Sequence, residues 1–132
     1  MKRIWSFTLL AVFLAAGICC AEIPNLRGNW TGSWGSYGEA NGHPILTNGS
    51  INMTITNQED RIFAGNLTVN YRNETTRYGF AGAIGLDNKT FYLSEFEKGY
   101  ALGTIVSSNE IEYIYLADGE NGSAAIDELH RV

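Results

Sequence analysis

Ser50-Ile51-Asn52-Met53-Thr54-Ile55-Thr56-Asn57, followed after a short polar break by Ile62-Phe63-Ala64-Gly65-Asn66-Leu67-Thr68-Val69, decides the fold class of this chain. Ile51, Met53 and Ile55 alternate with Asn52, Thr54 and Thr56. Phe63, Leu67 and Val69 alternate with Ala64, Asn66 and Thr68 in the same way. A period of two puts apolar side chains on one face of an extended strand and polar ones on the other. Two such runs joined by a short turn read as neighbouring antiparallel strands with one wet face and one dry face.

Outward from this pair, the pattern repeats over most of the chain, broken by Gly, Asn and Asp clusters. Eight strands are expected, at about 28–37, 50–57, 61–71, 75–85, 89–95, 99–107, 110–117 and 122–131. Asp87-Asn88, Ser108-Asn109 and Asp118-Gly119 have the chemistry of tight turns. Ile111, Tyr113 and Tyr115 continue the inward alternation, although Ile114 and Leu116 make that strand apolar on both faces. Gly35 to Asn48 reads as an outer loop, and Ala124 to His130 as the one stretch compatible with a short helical turn. Eight sequential antiparallel strands in a small domain predict an all-β, up-and-down barrel, because closure removes the edges that invite aggregation. A two-sheet β-sandwich shares the same patterning and is the alternative.

The N-terminus reads as a separate element. Lys2 and Arg3 precede an apolar run from Ile4 to Gly17, with the small residues Cys19 and Ala21 before Glu22. These are the parts of a secretory signal over residues 1–21, and the run is short for a membrane span. A retained anchor, or lipidation at Cys19 or Cys20, are the alternatives. Residues 22–132 then form a single domain, long enough to bury a core of its own. Both cysteines belong to the leader, so the domain relies on packing and hydrogen bonds rather than disulfides.

The whole chain carries 9 Lys and Arg against 14 Asp and Glu, a net charge of −5, and loss of Lys2 and Arg3 makes the remainder more acidic. That balance argues against nucleic acid and against insertion of the mature domain into an anionic membrane. Seven of the twelve asparagines open an N-x-[ST] sequon: Asn29, Asn48, Asn52, Asn66, Asn73, Asn88 and Asn121. Chance would give about two in a chain of this composition. Behind an export signal the excess implies a secreted or cell-surface glycoprotein. Asn52 and Asn66 fall on the polar faces of their strands, and Asn48, Asn73, Asn88 and Asn121 fall in expected turns or strand ends.

Gly28-Asn29-Trp30 at the start of the first strand, with Arg131 at the end of the last, resembles the calycin barrels, that is, the lipocalins and avidins. The resemblance implies that Trp30 closes the barrel floor, that Gly28 precedes it in the motif, and that Arg131 packs across the indole. Gly35-Ser36 matches the Gly-Ser pair that ends the first strand of avidins, which implies a ligand contact at Ser36. Gly32 stands where the avidin pattern has a ligand-binding Asn, Leu67 where it has a Tyr, and no tryptophan follows Trp34, so biotin is not the expected ligand. Over its length the chain also resembles small exported proteins of methanogenic archaea. They share a start like Gly28-Asn29-Trp30-Thr31-Gly32 and a late segment like Ile111-Glu112-Tyr113-Ile114-Tyr115-Leu116, which implies an archaeal cell surface and no activity.

Catalytic and metal chemistry have little to stand on. The domain has no cysteine, and its two histidines, His43 and His130, lie far apart and without zinc-ligand spacing. Asp118 to Gly122 lacks the spacing of a calcium loop. Glu95 and Glu97 share a strand face near Lys98, where a solvated rim is the simpler reading than a glycosidase pair. Neither an enzyme nor a cofactor or metal is therefore expected. The interior aromatics are the better lead. Trp30 and Trp34 point to one face with Gly32 between them, and Tyr78, Phe80 and Gly82 repeat the arrangement. Such a barrel is either filled by its own rings or holds a cavity for a small apolar or amphipathic ligand, reached from the mouth opposite Trp30. Trp34, Ser36, Tyr78 and Tyr100 are the candidate ligand-binding residues.

Overall fold

The computed structural model describes residues 21–132, and the signal segment expected over 1–21 lies almost wholly outside them. Eight strands follow in order: β1 (Gly28–Ala40), β2 (His43–Glu59), β3 (Ile62–Tyr71), β4 (Glu74–Ile84), β5 (Thr90–Glu95), β6 (Tyr100–Ser107), β7 (Glu110–Ala117) and β8 (Ser123–Arg131). Each pairs antiparallel with its sequence neighbour, and β1 pairs with β8 to close the barrel. The sandwich alternative is thereby excluded, and among the described residues there is no helix. Ala124 to His130 is strand rather than helical turn.

The largest departure from the sequence reading is the β1–β2 hairpin. The stretch Gly35 to Asn48 is not a loop: β1 and β2 stay in register from Gly28↔Ile55 to Ala40↔His43. Asn41 and Gly42 turn the chain, both with positive φ (55° and 78°), as a two-residue turn matched to the twist of its strands requires. Asn48 consequently lies within β2, and His43 is its first residue. Two bulges, at Ile55/Asn57 and at Ile105/Ser107, absorb extra residues while the barrel curves.

The floor is packed solid. Trp30, Met53, Phe63, Leu67, Phe80, Ile84, Phe91, Ile111 and Leu129 are all buried. Phe63 meets Phe80 and Phe91 edge to face at 6.3 and 6.1 Å, and Phe91 meets Tyr113 at 6.2 Å, the geometry aromatic quadrupoles favour. Glycine makes room for these rings: a Cβ at Gly82 would lie 2.3 Å from Phe63, and one at Gly103 2.0 Å from Phe91. The space opposite the rings is therefore filled by neighbouring side chains in this half of the barrel.

The segment before β1 plugs the same end. Leu26 is buried, its carbonyl accepts from Trp30 Nε1 at 3.0 Å, and its N–H donates to Gln58 Oε1 at 2.8 Å. Trp30 and Arg131 are register partners across the closing seam. The Arg131 guanidinium lies 4.3 Å from the indole centroid, the stacking that the calycin resemblance implies for these two positions.

Candidate functional site

Packing changes halfway up the barrel. Above the phenylalanines, inward positions carry Trp34 and Ser36 (β1), Ile51 (β2), Val69 (β3), Tyr78 (β4), Glu95 (β5), Tyr113 and Tyr115 (β7), and Ser123, Ala125 and Asp127 (β8). Together they line a cavity of about 210 Å³, partly open to solvent, at the end opposite Trp30. A cavity of about 150 Å³ accommodates a benzene, so this one has room for a ring and a short chain.

Its deep end is built from one row of the sheet. Asp127 is the register partner of Trp34 on one side and of Tyr113 on the other. Among the described residues, Trp34 Nε1, Tyr113 Oη and Asp127 Oδ2 are sealed from solvent without a hydrogen-bond partner. An unmatched buried polar group costs about 1–3 kcal/mol, and more when charged. Three in one row, beside a cavity, is a concentrated deficit of hydrogen-bond partners. Asp127 is only 5 % exposed, and Tyr113 2 %.

Electrostatics follow from that burial. Loss of hydration raises the Asp127 carboxyl from its ordinary 3.8 to about 7. Glu95, half-buried nearer the mouth, rises from 4.5 to about 7, chiefly through loss of hydration, then through the charges of Asp127 and Glu97. The Tyr113 hydroxyl is pushed far above its usual range by burial, with the two carboxylates adding to it. Tyr115 is raised to about 12 for the same reasons, and its hydroxyl donates to the Lys98 carbonyl at 2.9 Å.

No basic side chain lines the cavity. Two cations near this end are engaged elsewhere: Lys98 Nζ donates to the Glu120 carbonyl at 2.9 Å, and Arg72 lies 5.1 Å from the Tyr71 ring centre. Tyr71 in turn tilts against Trp34 at 5.8 Å. The acidic lining is thus not neutralised by a cation among the residues that form it.

Three of the four residues expected in a ligand site, Trp34, Ser36 and Tyr78, come together on this lining. Tyr100 does not: it is 52 % exposed on the outer face of β6, whose inward positions are Ala101 and Gly103. Glu95 faces the cavity instead of a solvated rim, while Glu97 sits in the exposed turn after β5 and shares no strand with it. Asp127 and Tyr113 were not singled out from sequence as site residues. The signal available for Asp127 was a carboxylate at an inward step of the Ala125, Asp127, Leu129 alternation.

Of the sequon asparagines, Asn29, Asn48, Asn52, Asn73 and Asn121 are exposed, and Asn66 and Asn88 are half-buried. Two sequons are interlocked across β1 and β2: the Thr31 hydroxyl donates to Asn52 Oδ1 at 2.7 Å, and the Thr54 hydroxyl to Asn29 Oδ1 at 2.9 Å.

The outer face carries a second feature. Tyr92, Leu102, Ile114 and Ile126 are consecutive register partners across β5 to β8, and all are exposed. A parallel row runs Tyr100, Leu116, Ala124, Tyr37 and Leu46 from β6 to β2. The two-faced apolar pattern of β7 thus reflects an apolar belt on the outside of the barrel.

No protein-family model matches this sequence, and no curated protein matches it either. Among solved structures, a redesigned beta barrel aligns with a TM-score of 0.56 at 12 % identity, covering 81 % of this chain and 91 % of that one. That likeness concerns the fold alone. A calycin-like barrel is compatible with it, and the archaeal resemblance gains nothing from these comparisons.

Proposed function

We propose that this chain is an exported, N-glycosylated, non-enzymatic β-barrel that binds a small amphipathic ligand in the cavity beside Trp34. The observation that carries the reading is the row Trp34, Asp127, Tyr113, whose buried polar atoms lack protein partners at the wall of a partly open cavity. Apolar contact from Ile51, Val69 and the aromatic rings would supply affinity, and the three polar atoms would fix orientation. Exposure of most sequon asparagines supports display as a glycoprotein outside the cell, on the archaeal surface that the sequence resemblance implies.

The non-enzymatic part of the proposal rests on the residue types available: the domain has no cysteine, and neither His43 nor His130 is among the residues lining the cavity.

The test is a two-dimensional NMR titration of the purified protein with 2-phenylethanol, a neutral probe of the right size. Saturable shifts at the Trp34 indole N–H are expected, absent in a cavity-filling Ala125→Phe variant. Shifts confined to surface residues, or unaffected by Ala125→Phe, would overturn the reading.

The outer belt favours a second reading, a structural or adhesive envelope protein that acts through its surface. Monomeric proteins seldom expose contiguous apolar rows of this length without a partner. The premise of a wholly filled barrel does not hold for the upper half, so this reading rests on the belt alone.

A further inference from the structure

We infer that the ligand is a small organic cation, an amine on a compact apolar body, held by Asp127 at the deep end of the cavity and Glu95 nearer its mouth. The inference rests on the ligand-cavity reading above and narrows it to one charge class.

Three independent observations converge on it. The first is the charge of the lining: two carboxyl groups and no lysine, arginine or histidine. A buried carboxylate without a counter-charge is costly, and a charge partner brought by the ligand converts that cost into attraction. The second is the ring content. Trp34, Tyr78, Tyr113 and Tyr115 surround the same space, and aromatic faces attract organic cations, more strongly when desolvated. The third is the unmatched Asp127 Oδ2, which is an acceptor with no donor. An ammonium N–H supplies the missing proton donor; a carboxylate or phosphate on the ligand would instead meet two like charges.

Size and ligand type follow from the same geometry. A space of about 210 Å³ admits a benzene-sized body with a short aminoalkyl arm. A bare metal ion fits poorly, since hard cations take about six to eight oxygen ligands. The lining offers two carboxylates among aromatic and aliphatic groups, and no cluster of three or more metal-binding side chains occurs among the described residues.

Binding of such a cation requires an ionised carboxylate, and the groups facing Asp127 set the pH at which this happens. They are Glu95 from β5, Tyr113 and Tyr115 from β7 and Tyr78 from β4, with Trp34 and Ser36 contributing no charge from β1. Bound amine would therefore displace protons, and affinity would rise through about pH 7.

The test compares three near-isosteric probes by calorimetry and NMR at about pH 8: phenethylammonium, 2-phenylethanol and phenylacetate. The amine is expected to bind at least about tenfold more tightly than the alcohol, and phenylacetate not to bind measurably. Asp127→Asn should lower amine affinity about tenfold or more and alcohol affinity much less, with a thermal melt reporting that the variant is folded. Glu95→Gln, nearer the mouth, should lower it less. Equal binding of amine and alcohol, or no effect of Asp127→Asn, would overturn the charge assignment and leave the ligand-cavity reading standing. Binding of none of the three would overturn that reading, and this inference with it.

Discussion

The guanidinium of Arg131 lies 4.3 Å from the centre of the Trp30 ring, and its nitrogens also donate to the carbonyls of Arg27 (2.6 Å), Asn25 (2.8 Å) and Ser108 (3.0 Å). One side chain from the last strand therefore holds the indole, the plug segment and the β6–β7 turn together. Arg131→Met keeps much of the packing and removes the donors, so the expected loss is about 2 kcal/mol or more. Trp30→Ala removes the floor itself, with an expected loss of about 3–5 kcal/mol. Urea denaturation of both variants measures these losses, and an unchanged midpoint for Arg131→Met would contradict the clamp.

Stability should fall as pH rises through the weakly acidic range. Asp127 and Glu95 ordinarily titrate at 3.8 and 4.5 but at about 7 in the folded barrel, so the folded state holds their protons where the unfolded chain has lost them. The folded state then binds more protons, and unfolding free energy decreases with pH between about 4 and 7 before levelling off. Asp87 acts in the opposite sense and lower down. The backbone N–H groups of Thr90 and Lys89 lower its pKa, so its contribution is lost only as pH falls below 3.8. Thermal melts from pH 4 to 9 should show a decline that Asp127→Asn reduces, because the substituted amide has no charge to bury.

Filling the cavity should leave the fold intact. Ala125 is buried on β8 at the cavity wall, with the open space in front of it. Ala125→Phe adds a ring to that space and should change the melting temperature by a few degrees at most, because overpacking costs arise where no void exists. Circular dichroism and a melt check this; collapse of the fold would mean the space is not available.

The apolar belt should drive association at high concentration. Ile114 and Ile126 are register partners at its centre, both exposed. Ile114→Glu places a charge there without touching the interior. Light scattering on the parent protein should give a mass that rises with concentration, and on the variant a monomer at every concentration.

Glycan occupancy should follow exposure and crowding. Asn73 and Asn121 lie in or beside turns and are exposed, whereas Asn66 and Asn88 are half-buried. Asn29 and Asn52 sit across one strand pair and share crossed hydrogen bonds with each other's sequon threonines. If the chain is exported and glycosylated as proposed, glycopeptide mass spectrometry should find Asn73 and Asn121 modified most often, and Asn29 and Asn52 seldom modified on the same molecule.

The barrel was legible in the sequence wherever large apolar residues faced inward and polar ones outward, as in Ile51 to Ile55. It was illegible where that contrast inverts. On β6 the inward residues are Ala101 and Gly103, the latter kept small by the Phe91 ring, while Tyr100 and Leu102 form part of the outer belt. A reading by hydrophobicity turns that strand inside out, which is why Tyr100 was expected in the lining. β8 inverts similarly, with Asp127 inside and Ile126 outside. The β1–β2 extension escaped because Pro44, Ile45 and Leu46 are all exposed, leaving no buried face to mark a strand. Its turn was signalled by Asn41-Gly42 all the same.

The most direct test of the account is a high-resolution crystal structure of the purified protein. The account predicts an open cavity beside Trp34, with a compact molecule or ordered solvent hydrogen-bonded to Trp34 Nε1, Tyr113 Oη and Asp127 Oδ2. A collapsed interior, with Asp127 paired to a lysine or arginine of the chain itself, would contradict it.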